Sequence, residues 1–405
     1  MSSVGKFALI WGAIALFAAA ALILQLSIRQ FSIRQPSIGQ TSAQQASGQT
    51  QVTAGPDNCG AGWTKPSPGI QRFSVQNTSI AGMEVYLQNV ASKAVYFDIE
   101  GFGAGATESA RAVLGAGSYR FVCLPADGNA AFGSTVTIFG TAAIANLTPG
   151  VVPVTRNDLI PAAKAYGDWI VSRLPFLIAD THELNADVTA GNLDAAKRDW
   201  LTAHTEYETL GAAYGAFGDA DSEINGMPAS GRTAIDDPDL TGFHKIEALL
   251  YGGASAATIA PYTAGLVDAV TRLQNDFPDA RIDPLDIGLR AHEILENALQ
   301  FELTGRADAG SGSTLATIDA NLTGTIEALA PLRGILATRY PQMARTDAWI
   351  ARSRKLVESF RGPAGSWTPL DELTRADREK LNAAISQTVE ELAPVAAICD
   401  VRRTS

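Results

Sequence analysis

The stretch Thr241-Gly-Phe-His-Lys-Ile-Glu-Ala-Leu-Leu-Tyr-Gly252 decides how the rest of the chain is read. It opens on small and polar residues and continues as an amphipathic helix, which Gly252 and Gly253 stop. His244 and Glu247 stand three apart, so they project from one helix face. An imidazole and a carboxylate on one face can hold a borderline metal ion between them. Ile246, Leu249 and Leu250 point the other way, toward a core. Taken alone, this spacing is more often a surface contact between helical turns.

The neighbourhood strengthens the metal reading. The 405 residues contain only 4 histidines. His204 is followed at helical spacing by Glu208, and His292 by Glu296, so three of the four have a carboxylate within a turn. Gln300 shares the His292 and Glu296 face. The run Gly218-Asp-Ala-Asp-Ser-Glu223 is an acidic turn. Its ordinary reading is a solvated loop, but it could deliver Asp219 or Asp221 into a bundle.

From Asn157 onward the pattern is helical, with helices expected near 158–183, 192–216, 240–251, 256–277, 284–304, 313–338, 341–361 and 375–397. Asp158 and Asn192 read as caps of the first two. Short connections between such helices imply antiparallel neighbours, hence an all-α double helix bundle over 151–405.

Between Cys59 and Leu147 the period changes. Short runs at 72–77, 84–89, 94–100, 117–124 and 134–139 are rich in Val, Tyr, Phe and Thr and are separated by Gly, Pro, Asn and Ser. Tyr119, Phe121 and Cys123 alternate with Arg120 and Val122, as on a half-buried strand. Residues 57–150 therefore read as a small β-sandwich. Of the three cysteines, Cys59, Cys123 and Cys399, an exported protein pairs two. Cys59 and Cys123 make either a disulfide or, with Met83 and Glu84, a sulfur-and-carboxylate site. No histidine precedes His182, so a blue-copper centre is excluded from this region.

Phe7 to Leu26 form an apolar run with Lys6 before it, long enough to span a bilayer. Residues 1–27 read as a membrane anchor with the remainder extracytoplasmic, in the periplasm or at the cell surface; a cleaved signal is the alternative. Ser27-Ile-Arg-Gln, Ser32-Ile-Arg-Gln and Ser37-Ile-Gly-Gln repeat before a Gln-, Ser- and Thr-rich segment, so 28–56 reads as a flexible tether. The net charge of −11 argues against nucleic acid and for a neutral or cationic ligand.

Taken together, these stretches resemble the EfeO-type extracytoplasmic iron-uptake proteins, whose helical part belongs to the imelysin family. The resemblance is carried by Tyr207-Glu208 through Phe217-Gly218-Asp219, by Thr241 to Glu247, by Ala291-His-Glu-Ile-Leu-Glu296 and by the closing Glu391-Leu-Ala-Pro. It spans roughly 57 to 400. Lys245 stands where family members usually have Arg, which keeps the charge and loses the fork. The resemblance implies a cupredoxin-like β domain ahead of the helices. It implies iron, Fe(II) or Fe(III), at His244 and Glu247 with Glu208 and Asp219 or Asp221; zinc and copper are the other candidates. It also implies a second site at Cys59, Glu84 and Cys123. Its implied partners are a membrane permease and a haem peroxidase.

Three classes follow: an iron-capturing component that feeds a permease, a metallopeptidase, and a non-catalytic surface module. A zinc peptidase of the His-Glu-x-x-His kind has no counterpart in the sequence, so a binding protein rather than an enzyme is expected.

Overall fold

The computed structural model describes residues 48–140 and 143–401. The apolar run 7–26 and the repeats after it lie outside these residues. Among the described residues no helix is long and apolar enough to cross a membrane.

The chain folds as a β-rich region with two sheets followed by an all-helical region. The first sheet has the order β1-β2-β5, from Thr50–Ala54, Gly69–Asn77 and Thr107–Leu114. β1 runs parallel to β2, and β5 antiparallel to it. The second sheet runs β4-β3-β6-β7, with β8 also on β6; these are Val95–Phe102, Met83–Asn89, Gly117–Pro125, Ala131–Phe132 and Val136–Ile138. Phe73 and Val75 of the first sheet share one apolar core with Val85, Leu87 and Phe121 of the second. Trp63, Phe73 and Phe121 meet edge to face, with Trp63 and Phe73 centroids 5.3 Å apart.

Alternation on β6 follows the expected faces. Tyr119, Phe121 and Cys123 enter the main core, while Val122 joins Tyr86 and Leu124 in a smaller cluster. Two strands escape the sequence pattern. β1 lies inside the segment read as a tether, because its hydrogen-bonding partner β2 compensates for its polar composition. β5 reads Thr-Glu-Ser-Ala-Arg-Ala-Val-Leu, too polar to register as a strand, yet it pairs along almost the whole of β2.

The helical region begins at α1, Arg156–Ala190. Thr155 caps it by accepting from the Asp158 N–H, while the Asp158 carboxylate accepts from Thr155 N–H. Asp158 is thus the third residue of a capping box rather than the cap itself. There follow α2 (Leu193–Glu208), the single turn α3 (Tyr214–Phe217), α4 (Asp219–Asn225), α5 (Gly242–Tyr251) and α6 (Ala256–Asp276). Then come α7 (Ile287–Asn297), α8 (Thr314–Leu329), the short α9 (Arg333–Leu336), α10 (Met343–Glu358) and α11 (Arg375–Cys399). One continuous apolar core runs from Leu159 of α1 to Cys399 of α11. Val151 pairs with Val95 of β4, and Arg339 Nε donates to Val152 O at 2.7 Å, where the strands meet the helices.

Cys59 and Cys123 form a disulfide across 64 residues, tying the loop after β1 to β6. Both sulfurs are consumed, so the alternative in which they serve as thiolate ligands does not describe this fold. Replacing both by Ser is expected to cost about 2–5 kcal/mol of stability. Equal denaturation midpoints for the variant and the unreduced parent would contradict this.

Between α1 and α2, Asp187 and Asp199 share a hydrogen bond. Burial, that bond and the Asp187 charge push the Asp199 carboxyl up from 3.8 to about 6. The folded state therefore binds this proton more tightly than the unfolded chain does. Stability from this pair is present at low pH and is lost as pH rises through that interval. The Asp199→Asn variant should gain on the parent as pH increases from 4 to 7. Thermal midpoints that differ by a constant amount across the series would refute the pairing.

Candidate metal centre

The site is built where α2, α5, the end of α7 and α8 converge. Gly242 opens α5 at φ 71°, and a Cβ there would stand 2.1 Å from Ile224 O. Only glycine lets the His244 helix start this close to the end of α4. Thr241 Oγ1 fastens the same junction by donating to Glu223 O at 2.9 Å. Gly324 of α8 plays the equivalent role, since a Cβ would meet Thr209 O at 2.4 Å. That close approach brings Asn321 against the end of α2.

His244 and Glu247 do share a face, as the spacing predicts, with Nδ1 and Oε2 3.6 Å apart. Both are buried. They are not equivalent, however. Glu247 Oε1 accepts from Ala309 N–H at 3.0 Å, Ser311 N–H at 3.1 Å and Ser311 Oγ at 2.6 Å. His244 Nδ1 has no hydrogen-bond partner and His244 lines a cavity of about 130 Å³. Glu247 does not line it. Glu247 stands behind the imidazole and holds the 309–311 segment.

Glu208 lines the same cavity. Its Oε1 accepts from Asn225 Nδ2 and its Oε2 from Asn321 Nδ2, both at 2.8 Å. His204 Nε2 lies 3.2 Å from Glu208 Oε1 without hydrogen-bond alignment. Burial pushes the Glu208 carboxyl up, but His204 and the two amides outweigh it and hold the group below its usual range. The His204 ring stacks on Trp200 at 4.9 Å and meets the His244 ring edge-on at 5.7 Å. Neither His204 nitrogen makes a hydrogen bond.

Sequence reasoning missed Glu302. The expected helix over 284–304 gives way after Asn297 to a wider π-helical turn, Ala298–Glu302. That turn carries Phe301 and Glu302 into the cavity wall, beside Asn297. Burial, with the Glu208, Glu247 and Asp308 carboxylates nearby, raises the Glu302 carboxyl well above its usual range. A glutamate ten positions after His292 is off the straight-helix face, so periodicity gives no signal for it.

Other expected ligands lie elsewhere. Asp221 accepts from Tyr207 Oη at 2.5 Å, and burial, partly offset by that bond, raises its carboxyl. Asp219 is exposed and lines a separate cavity with Glu223, Arg272 and Asp276. His292 Nδ1 lies 3.6 Å from Glu296 Oε2, and neither residue lines the His244 cavity. Lys245, buried, donates through Nζ to Ala234, Ile235 and Asp237 carbonyls at 2.9 to 3.0 Å. An ammonium with three donors matches three carbonyls, which is what a lysine offers at this position.

In the β region, Glu84 and Asp98 lie with Glu100 such that one ligand oxygen of each falls within 4.8 Å of the others. It is the only such group among the described residues. Tyr86 Oη donates to Glu84 Oε1 at 2.6 Å. Glu84 thus gains carboxylate neighbours on β4 in place of the sulfurs expected beside it.

Residues 162–281, which include the His244 helix, match the family model described as imelysin, peptidase M75. More particularly, the chain is 24% identical over 351 residues to the iron uptake system component EfeO of Escherichia coli K12, covering 86% of this chain and 91% of that protein. The same protein of Shigella flexneri matches with the same identity and coverage. Both findings support the resemblance to EfeO-type proteins.

Replacing Lys245 by Met would leave three carbonyls without their donor. A loss of about 2–4 kcal/mol is expected, with faster amide exchange across 234–237. Wild-type stability in urea would show that these bonds contribute nothing.

Proposed function

We propose that the chain is an extracytoplasmic iron-binding component of an iron-uptake system, which captures the metal in the His244 cavity and passes it on. The carrying observation is a buried imidazole nitrogen without a hydrogen bond, on a residue that lines a cavity walled by two carboxylates. Buried polar atoms are normally paired, so an unpaired one beside acids points to a missing ligand. His244, Glu208 and Glu302 are the proposed ligands of the cargo ion. Glu247 Oε2 stands 3.6 Å from His244 Nδ1 and adds a carboxylate beside it. His204 Nε2 stands 3.2 Å from Glu208 Oε1. Imidazole with carboxylates suits iron, and also zinc. The hard oxygen donors favour Fe(III) over Fe(II).

The names printed for the relatives, iron uptake system components, support iron as the cargo. By the same resemblance the partners are a membrane permease and a haem peroxidase; the apolar sequence 7–26 supports attachment to the membrane. Two sheets with a shared core support a cupredoxin-like reading of the β region, where Glu84, Asp98 and Glu100 form a second candidate site. A peptidase reading draws only on the description of the family model.

Full-length protein in detergent, titrated with Fe(II) under anaerobic conditions and with Fe(III) by chelator competition, tests the ligand set. His244→Ala and Glu302→Gln should each abolish high-affinity binding, and Glu247→Gln should weaken it by about 10- to 100-fold. Wild-type affinity in both His244→Ala and Glu302→Gln would end the assignment.

A further inference from the structure

His244 stands between two cavities of opposite character. The inner one, about 130 Å³, is walled by Glu208 and Glu302. The outer one, about 580 Å³, shares His244, Met227 and Ala307 with it. Its charged lining consists of Arg232, Arg306 and Asp308. The acid among them is already committed. Asp308 Oδ1 accepts from Gly310 and Gly312 N–H at 2.8 and 3.2 Å, and Oδ2 from Thr314 Oγ1 at 3.3 Å. Arg232 reaches Asp237 through Nη1 alone, at 3.2 Å. Among the described residues the exposed Arg306 guanidinium has no hydrogen-bond or ion-pair partner. The cavity that adjoins the acidic pocket at His244 therefore presents two arginines with donors to spare.

Such a lining opposes a bare cation and favours an anion. A guanidinium fork matches a carboxylate, which it can engage through two parallel hydrogen bonds. The inner cavity takes a metal ion with a few waters, whereas the outer one has room for a small organic acid. We infer that the outer cavity seats the chelator of an incoming iron complex, a polycarboxylate whose free carboxylates engage Arg306 and Arg232 while His244 takes the metal. This rests on the metal-capture reading above. The transfer is a ligand exchange without change of oxidation state. Chelator oxygens leave the iron as His244, Glu208 and Glu302 replace them.

Calorimetry on the full-length protein in detergent separates the two ideas, using citrate alone, Fe(II) alone without oxygen, and ferric citrate. Citrate alone should bind the metal-free protein. Arg306→Gln, and the double variant with Arg232→Gln, should weaken citrate and ferric citrate by about tenfold or more, with Fe(II) alone unaffected. No citrate binding to the metal-free parent, or ferric citrate binding unchanged in the double variant, overturns the inference. Inorganic phosphate competing as well as citrate overturns the polycarboxylate assignment. Failure of the parent to bind iron either as Fe(II) alone or from ferric citrate would instead strike the capture reading, whatever citrate alone does.

Discussion

The helical site depends on one buried carboxylate. Glu247 is 1% exposed, and one of its oxygens takes three hydrogen bonds from the 309–311 segment. A charge at that depth is tolerated only when its lone pairs are met. Meeting them fixes the glycine-rich loop between the π-helical turn and α8. That loop carries Ala307 and Asp308, which close the wall of the outer cavity. The same glutamate faces His244 Nδ1 at 3.6 Å, so one carboxylate adjoins both the loop and the imidazole.

Around this anchor the polar groups are graded. Lys245, one residue along from His244, stays buried and pins the 234–237 segment through three carbonyls. Glu208 is fastened by two side-chain amides from different elements, α4 and α8. Such groups are rigid and satisfied. His244 and His204 are not: their imidazoles keep unpaired nitrogens, and beside them burial and acidic neighbours raise the Glu302 carboxyl well above its usual range. Unsatisfied groups beside a rigid frame cost stability, and a protein keeps them where a ligand completes them. The split also explains why the His-x-x-Glu pair divides its labour although both side chains project from one face.

In the β region the dominant constraint is the disulfide between Cys59 and β6, beneath edge-to-face packing of Trp63, Phe73 and Phe121. Cys59 and Cys123 are buried within the same core. Their pairing removes both thiols from metal chemistry and leaves carboxylates on β3 and β4 as the ligand types in this region.

Much of the architecture was legible because it is written in local periodicity. The change from period two to period 3.6 near Asn157 separates the sheets from the helices, and His244 with Glu247 is visible at spacing three. What stayed hidden depends on partners distant in sequence. β1 and β5 are polar runs made into strands by β2. Asn321 reaches Glu208 across 113 residues because Gly324 admits α8 to the end of α2. Glu302 enters the cavity only through a π-helical turn, which no helical wheel anticipates. Asp219 and Asp221 looked like ligands because they sit between two motif helices, but Asp219 faces solvent and Asp221 bonds Tyr207. Residue types and spacing determined that this chain would carry imidazole and carboxylate on helix faces; which of those groups share a cavity was decided by packing, since side-chain direction across a bundle is set by helix contacts and not by distance along the chain.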